Sequence, residues 1–270
     1  MFLPFRISVD TIDRLTSPSP LRSIRFDKCE ENAKDILLSS IDLATGVISG
    51  ETLKNGWLPV DENYHVFISY SRDDKSKAEK LAKWLTSHGV KCFLDSYYWN
   101  NADDLLKAID DKWCKDKDGY YNYRNRNYTS SLIHAMLSMA IMEAISRCDF
   151  GIFIESENSV DLDLSDISTF TLSPWIYEEL HMMTIIEKRV PSWLKKERVR
   201  LFSSDTGVLV ESAPPVRMSF EIPRDELVEI DYYTLTHIKG AGDDWMYNLY
   251  KEYDGLRTEF DIILDHKCPV

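Results

Sequence analysis

Three short segments of the sequence combine hydroxyl, aromatic and charged side chains. They contain Ser69, Tyr70, Ser71 and Arg72, then Asp95, Ser96 and Trp99, and finally Trp175 and Glu179. An aromatic ring beside a carboxylate, facing a cleft that also holds an arginine and an aspartate, suits a sugar or a nucleotide. The chemistry is therefore expected where these three segments meet.

The third segment has the features of a helix start. Ser173 is suited to cap a helix, and Pro174 is suited to its first turn. Trp175 and Glu179 are four residues apart and would share one face of that helix, whereas Glu178 would point elsewhere.

The other two segments each follow a predicted strand. Residues 64–70 form an apolar run, residues up to His88 follow a helical pattern ended by Gly89, and residues 90–94 form a second apolar run. This order predicts a strand, a helix and a parallel strand, and residues 150–154 predict a third strand. The pattern indicates an α/β doubly wound parallel sheet, in which ligands bind beyond the carboxyl ends of the strands.

The remaining segments complete this prediction. Helices are expected at 102–113, at 130–147, from Ser173 onward and at 243–253, and strands at 198–202, 218–222 and 227–230. Residues 1–62 read as a partly helical N-terminal extension, with a helix at 27–41. The main domain is expected at 63–255, with an exposed insertion at about 115–129 and a tail at 256–270.

Composition excludes several classes of function. The 270 residues are 44% hydrophobic and carry a formal net charge of −13, which disfavours nucleic acid and anionic membranes as partners. Five scattered cysteines without a CxxC pair favour a reducing compartment and argue against a zinc site. We see no signal peptide, and residues 132–145 are too short and too polar to span a bilayer. A cytoplasmic protein is expected.

The motifs resemble those of the Toll/interleukin-1 receptor (TIR) domain. The resemblance rests on Val66-Phe67-Ile68-Ser69-Tyr70-Ser71, on Cys92-Phe93-Leu94-Asp95 and on Ser173-x-Trp175-x-x-x-Glu179-Leu180, in that order. It is strong over residues 63–190, and the pattern resembles that of TIR proteins of the bacterial Thoeris antiphage type. The resemblance implies a flavodoxin-like sheet.

The resemblance also implies an activity. Many bacterial TIR domains cleave NAD+ into nicotinamide and ADP-ribose, or into a cyclic or modified ADP-ribose that serves as a signal in antiphage defence. The family's catalytic glutamate corresponds to Glu179, and the loop that gates the site and makes assembly contacts corresponds to residues 95–101. NAD+ would be the substrate without any further cofactor or metal. The expected partners are further copies of the chain and an effector that senses the nucleotide product.

The residue types fit this chemistry. Loss of nicotinamide builds positive charge on the ribose, which a fixed carboxylate stabilises. Nicotinamide leaves without protonation, so one carboxylate is sufficient. Arg72 could meet the pyrophosphate, and Tyr70, Trp99 or Trp175 could stack on a base. Ser69, Ser71, Asp95 and Ser96 complete the expected substrate contacts.

Alternatives remain for the function and for single residues. A non-catalytic TIR scaffold that acts by self-assembly is the second hypothesis, and a receiver-like phosphoacceptor is a distant third, since Glu155 stands where its aspartate should be. Trp175 could be core packing, Arg72 could pair with the neighbouring aspartates, and Asp95 could end its strand. Glu178 is adjacent to Glu179, which leaves a register error of one residue open.

Overall fold

The structure is a computed structural model of the chain. It describes residues 3–16, 39–40, 48–50, 52, 64–94, 102–161, 170–186 and 220–252. Asp95, Ser96 and Trp99 lie outside these ranges, as do most of the predicted helix at 27–41, the strand candidate at 198–202 and the tail at 256–270.

The centre of the fold is a parallel sheet of five strands. In chain order its strands are β1 (Leu3–Ser8), β2 (Val66–Ser69), β3 (Cys92–Leu94), β4 (Phe150–Glu155) and a strand at Val228–Glu229. The spatial order is β3, β2, β4, β1 and then Val228–Glu229, and every neighbouring pair is parallel. The predicted α/β class and the parallel pairing of β2 with β3 are confirmed.

Helices cover both faces of this sheet. In chain order they are α1 (Val9–Arg14), α2 (Lys75–Ser87), α3 (Ala102–Trp113), α4 (Tyr123–Arg147), α5 (Pro174–Ile185), α6 (Tyr232–His237) and α7 (Asp243–Glu252). A separate antiparallel pair joins β5 (Phe170–Thr171) to β6 (Phe220–Glu221), so the strand Val228–Glu229 is β7. A single 3-10 turn at Arg72–Asp74 follows β2.

Side chains alternate along each strand between two hydrophobic cores, one on each face of the sheet. Val66 and Ile68 of β2 belong to the core beneath α1, α2, α6 and α7. Phe67, between them, belongs to the core beneath α3, α4 and α5. Successive side chains of a strand point to opposite faces, and a parallel sheet buried on both faces therefore carries continuous apolar strands. Ser69 falls on the same side as Phe67, which directs it toward α5.

Residues 1–62 were predicted to be an N-terminal extension, but part of this segment belongs to the sheet. Strand β1 lies inside the sheet between β4 and β7, so residues 3–8 are part of the domain rather than of an extension. Pro4 lacks a backbone N–H and pairs with Gly151 in an inner strand, a position where proline is rare. Arg6 is accommodated because Glu155 and Glu229 both accept hydrogen bonds from its guanidinium. A proline and an arginine are not typical of an inner strand, and the sequence pattern therefore did not predict β1.

Helix α4 is longer than predicted. Its first residue is Tyr123, because the Asn122 side chain accepts a hydrogen bond from the backbone N–H of Asn125 at 3.1 Å and caps the helix. Residues 115–122 form the loop before it, closed by an antiparallel bridge between Lys115 and Tyr121. The predicted insertion is therefore half loop and half helix.

Helix α4 is also the one described helix long and apolar enough, by length and composition, to cross a membrane. This is a weak indication, because the core helix of a globular domain passes the same test. One face of α4, including Ile133, Leu137 and Ile141, is buried in the core beneath α3, α4 and α5.

Candidate functional site

The helix expected to carry the catalytic carboxylate begins where the sequence predicts. Ser173 caps α5, since its hydroxyl accepts a hydrogen bond from the backbone N–H of Ile176 at 3.3 Å, and Pro174 occupies the first turn. The helix packs against β1 and β2 of the sheet and against α4. Trp175 and Glu179 therefore lie in its first two turns.

Glu179 lies at the carboxyl end of β2. The hydroxyl of Ser69, the last residue of that strand, donates a hydrogen bond to Oε2 of Glu179 at 2.6 Å. Ser69 is 0% exposed and Glu179 is 1% exposed. A buried carboxylate with a hydroxyl donor is fixed in direction and little screened by solvent, which is the arrangement that stabilises developing positive charge.

The same burial means that the site is closed in this structure. A carboxylate that is 1% exposed has no room beside it for a sugar until the groups around it move. A ligand could reach the Glu179 carboxylate only after these groups move.

Glu178 has a different environment from its neighbour. Its Oε2 accepts a hydrogen bond from the Ser138 hydroxyl of α4 at 3.1 Å. Burial raises the pKa of the Glu178 carboxyl above its ordinary value, while the hydrogen bond from Ser138 acts in the opposite direction. The two glutamates thus face different elements, α4 for Glu178 and β2 for Glu179.

The Trp175 side chain is only partly buried. Its half-buried ring packs against the core beneath α3, α4 and α5, and the His134 ring of α4 lies 5.6 Å from it, centroid to centroid. This position agrees with a packing role for at least part of the ring. A contact of Trp175 with substrate stays a prediction.

The residues after β2 occupy three different environments. Tyr70 is 6% exposed and lies in the core beneath α1, α2, α6 and α7. Ser71 is half-buried, and its carbonyl accepts a hydrogen bond from the backbone N–H of Asp74 at 2.8 Å. Arg72 is exposed and forms no ion pair with any residue that the structure describes. Substrate contacts of these three residues stay predictions.

A buried aspartate that the sequence did not predict for the NAD+ site braces this edge of the sheet. Asp74 is 5% exposed, and its carboxylate accepts hydrogen bonds from the Ser156 hydroxyl and, at 2.9 Å, from the Asn158 amide. These contacts tie the turn after β2 to the loop after β4. Asp73 and Asp74 lie where a receiver-like phosphoacceptor would carry its acidic pair, but Asp74 serves as a brace. Glu155, at the end of β4, is held by Arg6 and Arg224.

A cavity of about 480 Å³ lies beside this brace. Its walls are residues 157–161, after β4, and residues 171–173, at the start of α5. Among the described residues no group of three or more His, Cys, Asp or Glu side chains is arranged to hold a metal ion. Cys92, Cys114 and Cys148 are buried and not bridged to one another.

Comparison with known families bears on this edge of the sheet. Residues 66–117 match the TIR domain family. The match covers about a fifth of the chain, runs from β2 to just beyond α3, and contains Ser69, Tyr70, Ser71, Arg72 and the segment around Asp95. The parallel α/β sheet around the matched segment agrees with this similarity to the TIR domain. Trp175 and Glu179 lie beyond the matched TIR segment.

No curated protein matches the chain, and no solved structure matches it. The TIR match alone is compatible with either cleavage of NAD+ or an assembly role.

Proposed function

We propose that this TIR-domain protein cleaves NAD+ at the bond between nicotinamide and ribose. The supporting observation is the Ser69–Glu179 contact, which holds a carboxylate at the carboxyl end of β2. Ligands of doubly wound sheets bind at that edge. The contact also joins the first and third segments that the sequence singles out.

Glu179 would act electrostatically. As the bond to nicotinamide breaks, its electron pair leaves with neutral nicotinamide and the ribose becomes cationic. The carboxylate stabilises that cation in surroundings from which water is excluded. Water then attacks the ribose and loses a proton, giving ADP-ribose, whereas attack by a nucleophile within the same molecule gives a cyclic product.

The rest of the substrate would lie along the same edge. Arg72 is exposed and unengaged by described acids, so its guanidinium is available to a pyrophosphate. In this proposal Asp95, Ser96 and Trp99 complete the contacts from the loop after β3, and Trp175 stacks on a base. Ser71, just after β2, would border the site, whereas Tyr70 is buried in the core beneath α1, α2, α6 and α7.

The biological setting is part of the proposal. By resemblance to TIR enzymes of antiphage defence, the ADP-ribose product would be a signal sensed by an effector in the cytoplasm. The acidic net charge of −13 agrees with a nucleotide-processing role that does not involve long nucleic acids.

The test compares substitutions by glutamine at two neighbouring glutamates. Glu179→Gln keeps size and hydrogen bonding but removes the charge, and it should reduce nicotinamide release by about 100-fold or more. Glu178→Gln is the matched control, because it makes the same change at the next residue, which faces Ser138. Nicotinamide is quantified chromatographically after incubation with NAD+, and both variants are checked for folding by circular dichroism.

Equal turnover by wild type and Glu179→Gln would reject the role of Glu179. No nicotinamide release by the wild type, whether dilute or concentrated enough to assemble, would leave the scaffold as the function. Exposed aromatic side chains on α4 favour this second candidate, because they have the composition of an interaction surface.

A further inference from the structure

Asp74 occupies the position just before α2 but does not cap that helix. An aspartate at a helix N-terminus ordinarily accepts hydrogen bonds from backbone N–H groups of the first turn. The Asp74 side chain makes no such bond to the described residues of α2. Its carboxylate instead accepts hydrogen bonds from the Ser156 hydroxyl and, at 2.9 Å, from the Asn158 amide. The carboxylate thus serves a loop that lies 82 to 84 positions away in the chain.

The loop that Asp74 contacts is held together by its own hydrogen bonds. The Ser159 hydroxyl donates to the carbonyl of Ile154 at 3.1 Å and accepts from the backbone N–H of Ser156 at 2.9 Å. The carbonyl of Ser156 accepts a hydrogen bond from the backbone N–H of Val160 at 3.0 Å. Ser159 is 2% exposed. Residues 156–160 therefore form one unit at the carboxyl end of β4, and Asp74 holds this unit from outside.

The same unit leads to the start of α5. The backbone N–H of Asp161 donates a hydrogen bond to the carbonyl of Phe170 at 2.7 Å, which joins the end of the loop to β5. The buried Thr171 hydroxyl accepts a hydrogen bond from the backbone N–H of Ser173 at 3.2 Å, and Ser173 caps α5. Contacts therefore run from Asp74 to the helix that carries Glu179.

Asp74 also belongs to the turn that presents Arg72. This 3-10 turn, Arg72–Asp74, is closed by a hydrogen bond from the backbone N–H of Asp74 to the carbonyl of Ser71 at 2.8 Å. Arg72 is exposed, whereas Asp74, two residues later, is buried. The contacts of Asp74 therefore fix the backbone from which the Arg72 side chain extends.

We propose that Asp74 is a positioning residue for the dinucleotide. By tying the Arg72 turn to the loop that leads to α5, it sets the separation between Arg72 and Glu179. A ligand held at two points binds well only when those points are already spaced to match it. The inference rests on the proposed function, because it takes Arg72 as the contact for the pyrophosphate. Asp74 itself does not meet the phosphates, because a buried carboxylate repels them.

The charge of Asp74 and its bracing contacts predict opposite effects on binding. Removal of an acid close to a pyrophosphate would, by electrostatics alone, strengthen the binding of an anionic ligand. Removal of the brace would weaken binding, because Arg72 is no longer held in place. Asp73, the exposed neighbour in the same turn, carries the same charge, and the brace does not involve it. Asp73→Ala therefore reports the effect of charge alone.

The experiment measures ligand binding and turnover with the full chain. Asp74→Ala removes the acceptor of the brace, and Ser156→Ala removes one of its donors and serves as the second variant if the first does not fold. Asp73→Ala is the matched control, and Arg72→Ala is made alone and together with Asp74→Ala. Calorimetry gives the Kd for ADP-ribose, which keeps the pyrophosphate but has no nicotinamide to lose. Nicotinamide release gives kcat and KM for NAD+, and thermal melting checks folding.

The brace should affect binding rather than the chemical step. Asp74→Ala should raise both the Kd for ADP-ribose and the KM for NAD+ by about tenfold, the loss expected for one misplaced charged hydrogen bond, with kcat within about twofold of wild type. Ser156→Ala should shift both constants in the same direction. Asp73→Ala should bind ADP-ribose as tightly as wild type or more tightly. In the Arg72→Ala background, Asp74→Ala should cost less than about threefold, because both residues act through one contact.

Several results would overturn the proposal. They are wild-type binding by folded Asp74→Ala and Ser156→Ala, an equal loss in Asp73→Ala, or a loss that adds in full to that of Arg72→Ala. A wild type that binds no ADP-ribose, or an Arg72→Ala variant with wild-type affinity, would overturn it as well. A wild type that binds ADP-ribose but releases no nicotinamide would instead reject the proposed activity, and the binding constants would still decide the role of Asp74.

Discussion

Among single residues, the proposed activity depends most on the hydrogen bond from Ser69 to Glu179. The sequence predicted both residues for the site, but it assigned Ser69 to the substrate, whereas the structure directs its hydroxyl to the carboxylate. A strand residue and a helix residue 110 positions apart meet only in the folded sheet, and no local pattern encodes that contact. The distinction between Glu178 and Glu179 was predictable, because helical spacing separates their directions.

Removal of the Ser69 hydroxyl should therefore impair Glu179 without touching the substrate. Ser69→Ala should slow NAD+ cleavage about 10-fold to 100-fold, the range expected for losing a hydrogen bond to a charged group. The KM for NAD+ should change little, because the Ser69 hydroxyl contacts the carboxylate rather than the substrate. Steady-state kinetics provide both kcat and KM.

The matched control is Ser138→Ala, which removes the hydroxyl that donates to Glu178. Its kcat and KM should resemble those of the wild type. If both alanine variants lose activity equally, the loss reflects general damage to the α4–α5 packing, and the positioning role of Ser69 is rejected.

At the scale of elements, helix ends were predictable where a local signal exists. Ser173-Pro174 marks the start of α5, and the structure begins the helix at Pro174. The start of α4 was placed at 130, seven residues late, because the asparagine cap at residue 122 opens a polar, exposed turn that reads as a loop. The structural role of Asp74 was not predictable, because its partners Ser156 and Asn158 follow β4, which is distant in sequence.

The contact between α4 and α5 should make stability depend on pH through Glu178. Burial raises the pKa of this carboxyl in the folded protein, so the fold favours the protonated form. As pH rises through the unfolded and then the folded pKa, stability is lost. Glu178→Gln stays neutral, and we expect it to melt at a higher temperature than wild type at neutral pH.

Below the pKa of the unfolded chain, about 4, the wild-type side chain is also neutral and the two melting temperatures should converge. Thermal melts at several pH values provide the test. A variant that melts lower than wild type at neutral pH would show that the hydrogen bond from Ser138 outweighs the cost of burying the charge.

For the whole molecule, the α/β class was predictable from the sequence, but the position of residues 3–8 in the sheet was not. Alternation of strands and helices identifies a doubly wound sheet, while spatial strand order depends on contacts between distant segments. Phe5 of β1 is 0% exposed, with ring centroids 5.6 Å from Phe150 and 6.0 Å from Tyr250. Residues 3–8 thus contribute to the centre of a core.

Changes in β1 should therefore destabilise the entire domain. Phe5→Ala should lower the free energy of unfolding by about 3–5 kcal/mol, the usual cost of emptying a buried phenylalanine site. Phe5→Leu, which fills most of the space, should cost less. Urea denaturation followed by tryptophan fluorescence measures both. A wild-type midpoint for Phe5→Ala would contradict the inner position of β1.

In the proposed mechanism, the Glu179 carboxylate faces the ribose whose bond to nicotinamide breaks. The most direct measurement is a crystal structure of Glu179→Gln, which should bind NAD+ without cleaving it. We expect the site to open and the nicotinamide-side ribose to lie within hydrogen-bond distance, about 3 Å, of the side chain at position 179. NAD+ bound with this ribose away from residue 179 and from the end of β2 would contradict the account.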